Sequence, residues 1–221
     1  MKLLDKIFVL IVLFFSINLT SQGLNFSTEE DLADFSEAPQ DYGFAGDLPS
    51  RYSLERYVPP VQTQKGGTCV GFSSLYYGLS TQYNIQFNIT NWKDKLAHSF
   101  DPYFIYSVMK NNVDNCEGGL KMTDAFLNLE KIGTKKMFLS PFTKCDEKWT
   151  EDKFVKVANL TFPYKINATY YWDTSNPDLD LSYVVKKNIA DNKPVIVGMD
   201  YVNSMATTYS SGSSFGVTDE G

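Results

Sequence analysis

An α+β fold, with helices gathered ahead of strands, is predicted by three observations. Apolar residues recur at helical spacing behind Cys69, Asp101 and Thr123. β-branched and aromatic runs take over after Val155. Helices first and strands later place the two in separate lobes instead of an alternating βαβ order. With 221 residues, 43% of them hydrophobic, the chain is long and apolar enough to bury a core. An aromatic content of 15% excludes the composition of chains that stay unfolded.

The first 22 residues have the layout of a secretory signal peptide: Lys2 and Lys6, an apolar run from Ile7 to Ile17, then small and polar residues from Asn18 to Gly23. A membrane anchor is the competing reading, but the run is about half the roughly 20 apolar residues needed to span a bilayer. Cleavage is expected near Ser21 to Gly23, leaving a secreted or periplasmic protein with no stable membrane association. No cysteine lies near that zone, which argues against a lipid-anchored lipoprotein. Residues 23–47 are acidic and irregular, with Glu29, Glu30, Asp31, Asp34, Glu37, Asp41 and Asp47 around Pro39, Gly43 and Gly46. They read as a leader, either a short pro-segment that covers a cleft or a plain exposed tether, and the globular part is expected to start near Leu48 and Pro49.

In the first lobe, Val70, Phe72, Leu75, Tyr76 and Leu79 predict a helix from Cys69 to about Gln82. A second is predicted over Pro102 to Lys110, capped by Asp101, with Phe104, Ile105 and Val108 on one face. A third is predicted over Thr123 to Ile132, with Thr123 as cap and Ala125, Phe126, Leu129 and Ile132 inward. Strands are predicted in Val155 to Phe162, Tyr164 to Tyr171 and Val195 to Tyr201, interrupted by a helix from Leu181 to Ala190.

The net charge of -6 is spread along the chain and gives no footprint for nucleic acid. One histidine and scattered carboxylates make no usual metal-ligand set, and no cofactor is expected. There is no phosphate-binding glycine loop and no Gly-x-Ser-x-Gly elbow. Asn25, Asn88, Asn159 and Asn167 head Asn-x-Ser/Thr triplets, glycan acceptors only in a host with that machinery. Three cysteines, Cys69, Cys116 and Cys145, leave at least one unpaired within the chain, and in an exported protein a leftover cysteine is an intermolecular link or a reactive thiol.

The informative stretch is Leu48 to Ser74. It sets Cys69 on the first turn of a helix directly after Lys65, Gly66, Gly67 and Thr68. Unpaired N–H groups and the helix dipole at such a place favour negative charge, which is expected to lower the thiol pKa. The two glycines allow backbone to approach whatever sits above the sulfur. The plainer reading makes Cys69 a small buried hydrophobe that happens to begin a helix.

Leu48-Pro49, the strand-like Tyr52-Ser53-Leu54-Glu55-Arg56, the loop Val61-Gln62-Thr63-Gln64 and the helix start Cys69-Val70-Gly71-Phe72-Ser73 together resemble the papain-like cysteine peptidases, in a bacterial-type branch. Ser99 to Ile105 is similar to the family's second helix, Cys116-Glu117-Gly118-Gly119 to its Cys-x-Gly-Gly element, and Leu181 to Tyr201 to its short helix and Pro-Val strand. The resemblance covers residues 48–221. It implies a two-lobed fold with a complete helical lobe and a β-barrel lobe truncated at the C-terminus. It also implies Cys69 as nucleophile, Gln64 steadying the oxyanion beside the Cys69 N–H, and Gly67, Gly118 and Gly119 lining the substrate. Cys116 and Cys145 match half-cystine positions of the family; their pairing would add about 3 to 4 kcal/mol in the chain-entropy estimate and leave Cys69 free.

Three features depart from the family. Gln64 lies five residues before Cys69, one fewer than in the family pattern, with Gln62 at seven as the fallback. Val70 stands where an aromatic often follows the nucleophile. His98, the only histidine, matches no catalytic position of the family and reads as a surface or helix-capping residue. The catalytic His and Asn of papain-type enzymes are expected about 130 to 150 residues after the Cys, and insertions push them past Gly221. The resemblance thus implies the front part of a peptidase that cleaves peptides or proteins through a Cys69 thioester. The rival expectation is a non-catalytic exported protein that holds peptides in a degenerate cleft.

Overall fold

The structure, a computed structural model, describes residues 24–39, 46–109, 116–137, 164–173 and 176–198. All but Gly198 of these belong to one unit, residues 22–197. In chain order the elements are β1 (Leu24–Asn25), α1 (Glu29–Leu32), β2 (Ser36–Glu37), a single 3-10 turn at Glu55–Tyr57, α2, α3 (Trp92–Ala97), α4 (Pro102–Met109), β3 (Leu120–Lys121), α5 (Met122–Lys131), β4 (Tyr170–Tyr171) and α6 (Leu181–Ala190). Helix α2 is one continuous run made of Cys69–Gly71, Phe72–Leu79 and Ser80–Gln86.

The middle of α2 is wound more widely than an α-helix. The Ser80 N–H reaches back to the Leu75 carbonyl, and the Ser80 hydroxyl donates to the same oxygen at 3.0 Å. Phe72, Ser74, Leu75, Tyr76 and Gly78 are all buried here, a broader inward surface than one helical stripe supplies. Tyr76 is fully buried and its hydroxyl donates to the Pro60 carbonyl at 2.6 Å, so it satisfies its polar end inside the fold. Tyr76→Ala would leave a cavity and orphan that carbonyl; a loss of about 3 to 5 kcal/mol is expected in urea unfolding.

Helices α2, α4 and α5 pack around Val70, Leu75, Phe100, Ile105, Tyr106, Cys116, Leu120, Ala125 and Leu129. The three expected helices are present and pack together, with adjusted ends. Helix α2 runs four residues past Gln82. Asp101 does cap α4, its Oδ1 accepting from the Tyr103 N–H at 2.9 Å. Thr123 does not cap α5: the cap is Lys121, and the Thr123 hydroxyl is shared with Ser27 at 2.9 Å. A residue from the leader has taken the side chain that local sequence assigns to the cap. Helix α6 has its expected bounds and is capped by Asp180, whose Oδ1 accepts from the Tyr183 N–H at 2.9 Å.

Strand structure among the described residues is limited to two parallel pairs, β1 with β3 and β2 with β4, plus single bridges at Phe100–Lys136 and Thr134–Tyr164. Of the expected strand Tyr164 to Tyr171, only the bridge at Tyr164 and β4 are ladder-bonded. Residues 195–198 form no strand. The expected strand Val155 to Phe162 and the signal peptide at 1–22 lie outside the described residues, as does most of the chain that a second lobe would need. Among the described residues no helix is long and apolar enough to cross a membrane.

Of the two readings of the leader, the plain exposed tether does not fit residues 24–39. Residues 24–39 are neither loose nor separate: β1 pairs with β3 in the register Leu24 to Leu120 and Asn25 to Lys121, and β2 pairs with β4. Between them α1 is closed by a capping box. The Asp31 N–H donates to the Thr28 hydroxyl at 3.3 Å, and the Thr28 N–H donates to Asp31 Oδ2 at 2.7 Å. Asp31 also bonds Lys121 Nζ at 2.7 Å, and Ala38 is buried, its N–H on the Tyr171 carbonyl at 2.9 Å. The segment is held by strand pairing, by the Asp31–Lys121 pair and by the buried Ala38, while Glu29, Glu30, Asp34 and Glu37 remain exposed.

This arrangement gives a pH signature. Lys121, with help from Thr28, lowers the Asp31 pKa to about 2 from 3.8. A depressed carboxylate pKa means the contribution is complete above 3.8 and is lost as pH falls through about 2. The unfolding midpoint of the native chain should therefore converge with that of Asp31→Asn between pH 4 and pH 2 and exceed it above. Equal midpoints at neutral pH would show that the pair adds nothing.

Candidate active site

The loop from Val61 to Gly66 is exposed, and the chain turns inward at Gly67 and Thr68, which are buried. The Thr68 hydroxyl donates to the Lys65 carbonyl at 2.8 Å and closes the turn. Gly66 has φ +56°, and a Cβ there would strike the Cys116 carbonyl oxygen, so glycine is required twice over. The Gly67 N–H donates to that same Cys116 carbonyl. Cys116 itself sits at φ +72° and Gly119 at φ +63°. Two sharply turned segments distant in sequence are thus bonded through Gly66, Gly67 and Cys116, which brings Cys69 and the Gly118–Gly119 segment into one neighbourhood.

Cys69 is the first residue of α2, half-buried and a free thiol. Burial pushes its pKa up from 9.0, while the N–H groups of Val70 and of Cys69 itself pull it down and lose. The expected lowering at a helix start is therefore overturned: desolvation outweighs the terminal N–H groups. Behind the thiol, the Phe72 and Tyr103 rings meet edge to face at 5.6 Å, and the Lys65 backbone lies at the Tyr103 hydroxyl. Gly71 lies so close to α4 that a Cβ would overlap the Pro102 carbonyl oxygen. The start of α2 is held from both sides.

Gln64 is exposed and its Nε2 donates to the Gly66 carbonyl at 3.2 Å, so its amide lies along the loop that leads to Cys69. Gln62 is held elsewhere, with its N–H on the Tyr77 hydroxyl at 3.2 Å and its side chain at Tyr76. Of the two glutamines, Gln64 is the one in the glycine turn. Gly67 is not open to a substrate: it is buried and its N–H is taken by Cys116. Gly118 is also engaged, its N–H donating to the Tyr106 hydroxyl at 3.1 Å and its carbonyl accepting from Asn25 Nδ2 at 3.2 Å. Cys145, and with it the expected bridge to the buried Cys116, lies outside the described residues.

His98 does not serve Cys69. It caps the C-terminal end of α3, as one of its two readings had it, and its Nδ1 faces Lys136 Nζ at 2.6 Å. Its ring lies over Tyr83 with centroids 5.8 Å apart. Tyr83 is fourteen residues along α2 from Cys69, on the order of 20 Å at helical rise. Lys136 is buried and completes this cluster, donating to the Tyr83 hydroxyl at 3.0 Å and lying 4.4 Å from the centre of its ring. No local pattern in the sequence announces this cluster, nor the clasp of Asn25 on Gly118. Among the described residues no group of three or more His, Cys, Asp or Glu side chains could hold a metal ion.

Comparison with family models, with curated proteins and with solved structures finds no match to this chain.

Proposed function

We propose that the chain is the front part of an exported papain-like cysteine peptidase, with Cys69 as nucleophile and Gln64 beside it. The carrying observation is the tie of the Cys69 turn to the Cys116–Gly119 segment: the Gly67 N–H bonds the Cys116 carbonyl and so joins a free thiol at a helix start to a sharply turned, glycine-containing loop. In this reading the Cys69 sulfur, having given its proton to an imidazole, adds to the scissile carbonyl carbon. The Cys69 N–H and the Gln64 amide hold the resulting oxyanion. The carbon–nitrogen bond breaks, the imidazolium returns its proton to the leaving amine, and water then hydrolyses the thioester. His98 cannot be that imidazole, so the base is proposed to lie in sequence following Gly221, along with its orienting Asn. Cys116 and Cys145 are proposed to pair.

The second reading, an exported peptide-binding protein without catalysis, is favoured by one observation: burial pushes the Cys69 thiol pKa up, the opposite of what activates a nucleophile. Peptide hydrolysis by the product extended past Gly221, compared with its Cys69→Ala variant, separates the two. Cleavage that vanishes in Cys69→Ala is the expected result. Peptide binding with no cleavage in either form would leave the binding protein.

A further inference from the structure

We propose that residues 24–39 stay in the folded protein as an internal occupant of the Gly118–Lys121 edge, so that the cleft takes peptides with a short N-terminal arm and disfavours extended chains. This rests on the peptidase reading for the identity of the cleft.

An extended peptide binds by adding a strand to free backbone groups. Here the groups of Gly118 and of Leu120–Lys121 have partners. Asn25 Nδ2 occupies the Gly118 carbonyl, the Tyr106 hydroxyl occupies its N–H, and β1 lies parallel to Leu120–Lys121. A substrate strand reaching past Gly119 on this side must displace β1.

Displacement is opposed at both ends. Near β1, Ser27 bonds Thr123, Asp31 pairs with Lys121 at 2.7 Å, and Leu24 packs on the central core. Farther on, β2 pairs with β4, Ala38 is buried, and Trp172 Nε1 donates to the Pro39 carbonyl at 3.4 Å. A segment anchored on two distant parts of the chain and contributing a core residue is built to remain, which sets it apart from a piece trimmed away before Leu48.

The test compares two probes of Cys69 on the native chain, Asn25→Ala, Asp31→Asn and a chain lacking 24–39: iodoacetamide, which needs no backbone edge, and a tripeptidyl chloromethyl ketone, whose peptide lies on that edge. The ratio of tripeptidyl to iodoacetamide labelling rates should rise about tenfold in Asn25→Ala, the factor for one competing backbone hydrogen bond, and further on deletion. If the deleted chain fails to fold by near-ultraviolet circular dichroism, the two point variants decide. A ratio unchanged in every folded variant overturns the proposal while leaving the peptidase reading intact. Failure of iodoacetamide itself to label Cys69 in any form overturns the peptidase reading and this proposal with it. N-terminal sequencing of the exported protein should begin ahead of Leu24; a start at Leu48 would overturn retention.

Discussion

Replacing Gly71 by alanine should destabilise the protein by about 3 kcal/mol, the upper end of the usual cost of overpacking a rigid site. The added Cβ would meet the Pro102 carbonyl oxygen at a distance no real Cβ tolerates. Pro102 begins α4 and Gly71 stands in the first turn of α2, both buried, so neither backbone can retreat without opening the contact between the two helices. A flexible side chain could swing away; a carbonyl in a helix cannot. The urea midpoint of Gly71→Ala should fall sharply, and folded protein that remains should show altered Cys69 labelling, because Cys69 lies two residues away. An unchanged midpoint would show that α2 and α4 are farther apart than described.

The pH dependence of Cys69 alkylation should be the other large effect. Burial raises the thiol pKa above 9.0, so at pH 7 fewer than about one thiol in a hundred is ionised. The thiolate is the reacting form. In this 221-residue chain the rate with iodoacetamide should still be climbing at pH 9. In a product that carries an imidazole beside the sulfur, ion-pairing should bring the plateau below pH 7, a gain on the order of a hundredfold at neutral pH. A plateau below pH 8 in the shorter chain would mean that a cation already faces the thiol.

Helices were legible where periodicity and capping agree. Asp101 before Pro102 and Asp180 before Leu181 mark their helices because the cap is a local hydrogen bond. Thr123 misled because Ser27, ninety-six residues away, competes for its hydroxyl. The tether reading of the leader fails for the same reason: acidic sequence looks unstructured until its partners Lys121, Thr123 and Tyr171 are known. The wide turn of α2 could not be read either, since its periodicity fits an ordinary helix over a short window.

The candidate site was legible in part. A cysteine opening a helix after two glycines is a local feature, and the positive φ at Gly66 explains one of them. The thiol pKa was misjudged because the helix start is visible in sequence and the burial is not. Gly67, expected to line the substrate, is buried with its N–H on the Cys116 carbonyl, a partner forty-nine residues away that no local pattern shows. His98 was read from position alone; its engagement with Lys136 and Tyr83 joins three segments that no spacing connects.

The most direct test of Cys69 as a peptidase nucleophile is treatment of the product extended past Gly221 with a thiol-directed epoxide inhibitor, followed by mass-spectrometric mapping of the modified residue. The expected result is stoichiometric modification of Cys69 at neutral pH, abolished in Cys69→Ala and accompanied by loss of peptide cleavage. An epoxide that leaves Cys69 unmodified while the folded protein still binds peptides would contradict the catalytic role and leave a binding cleft.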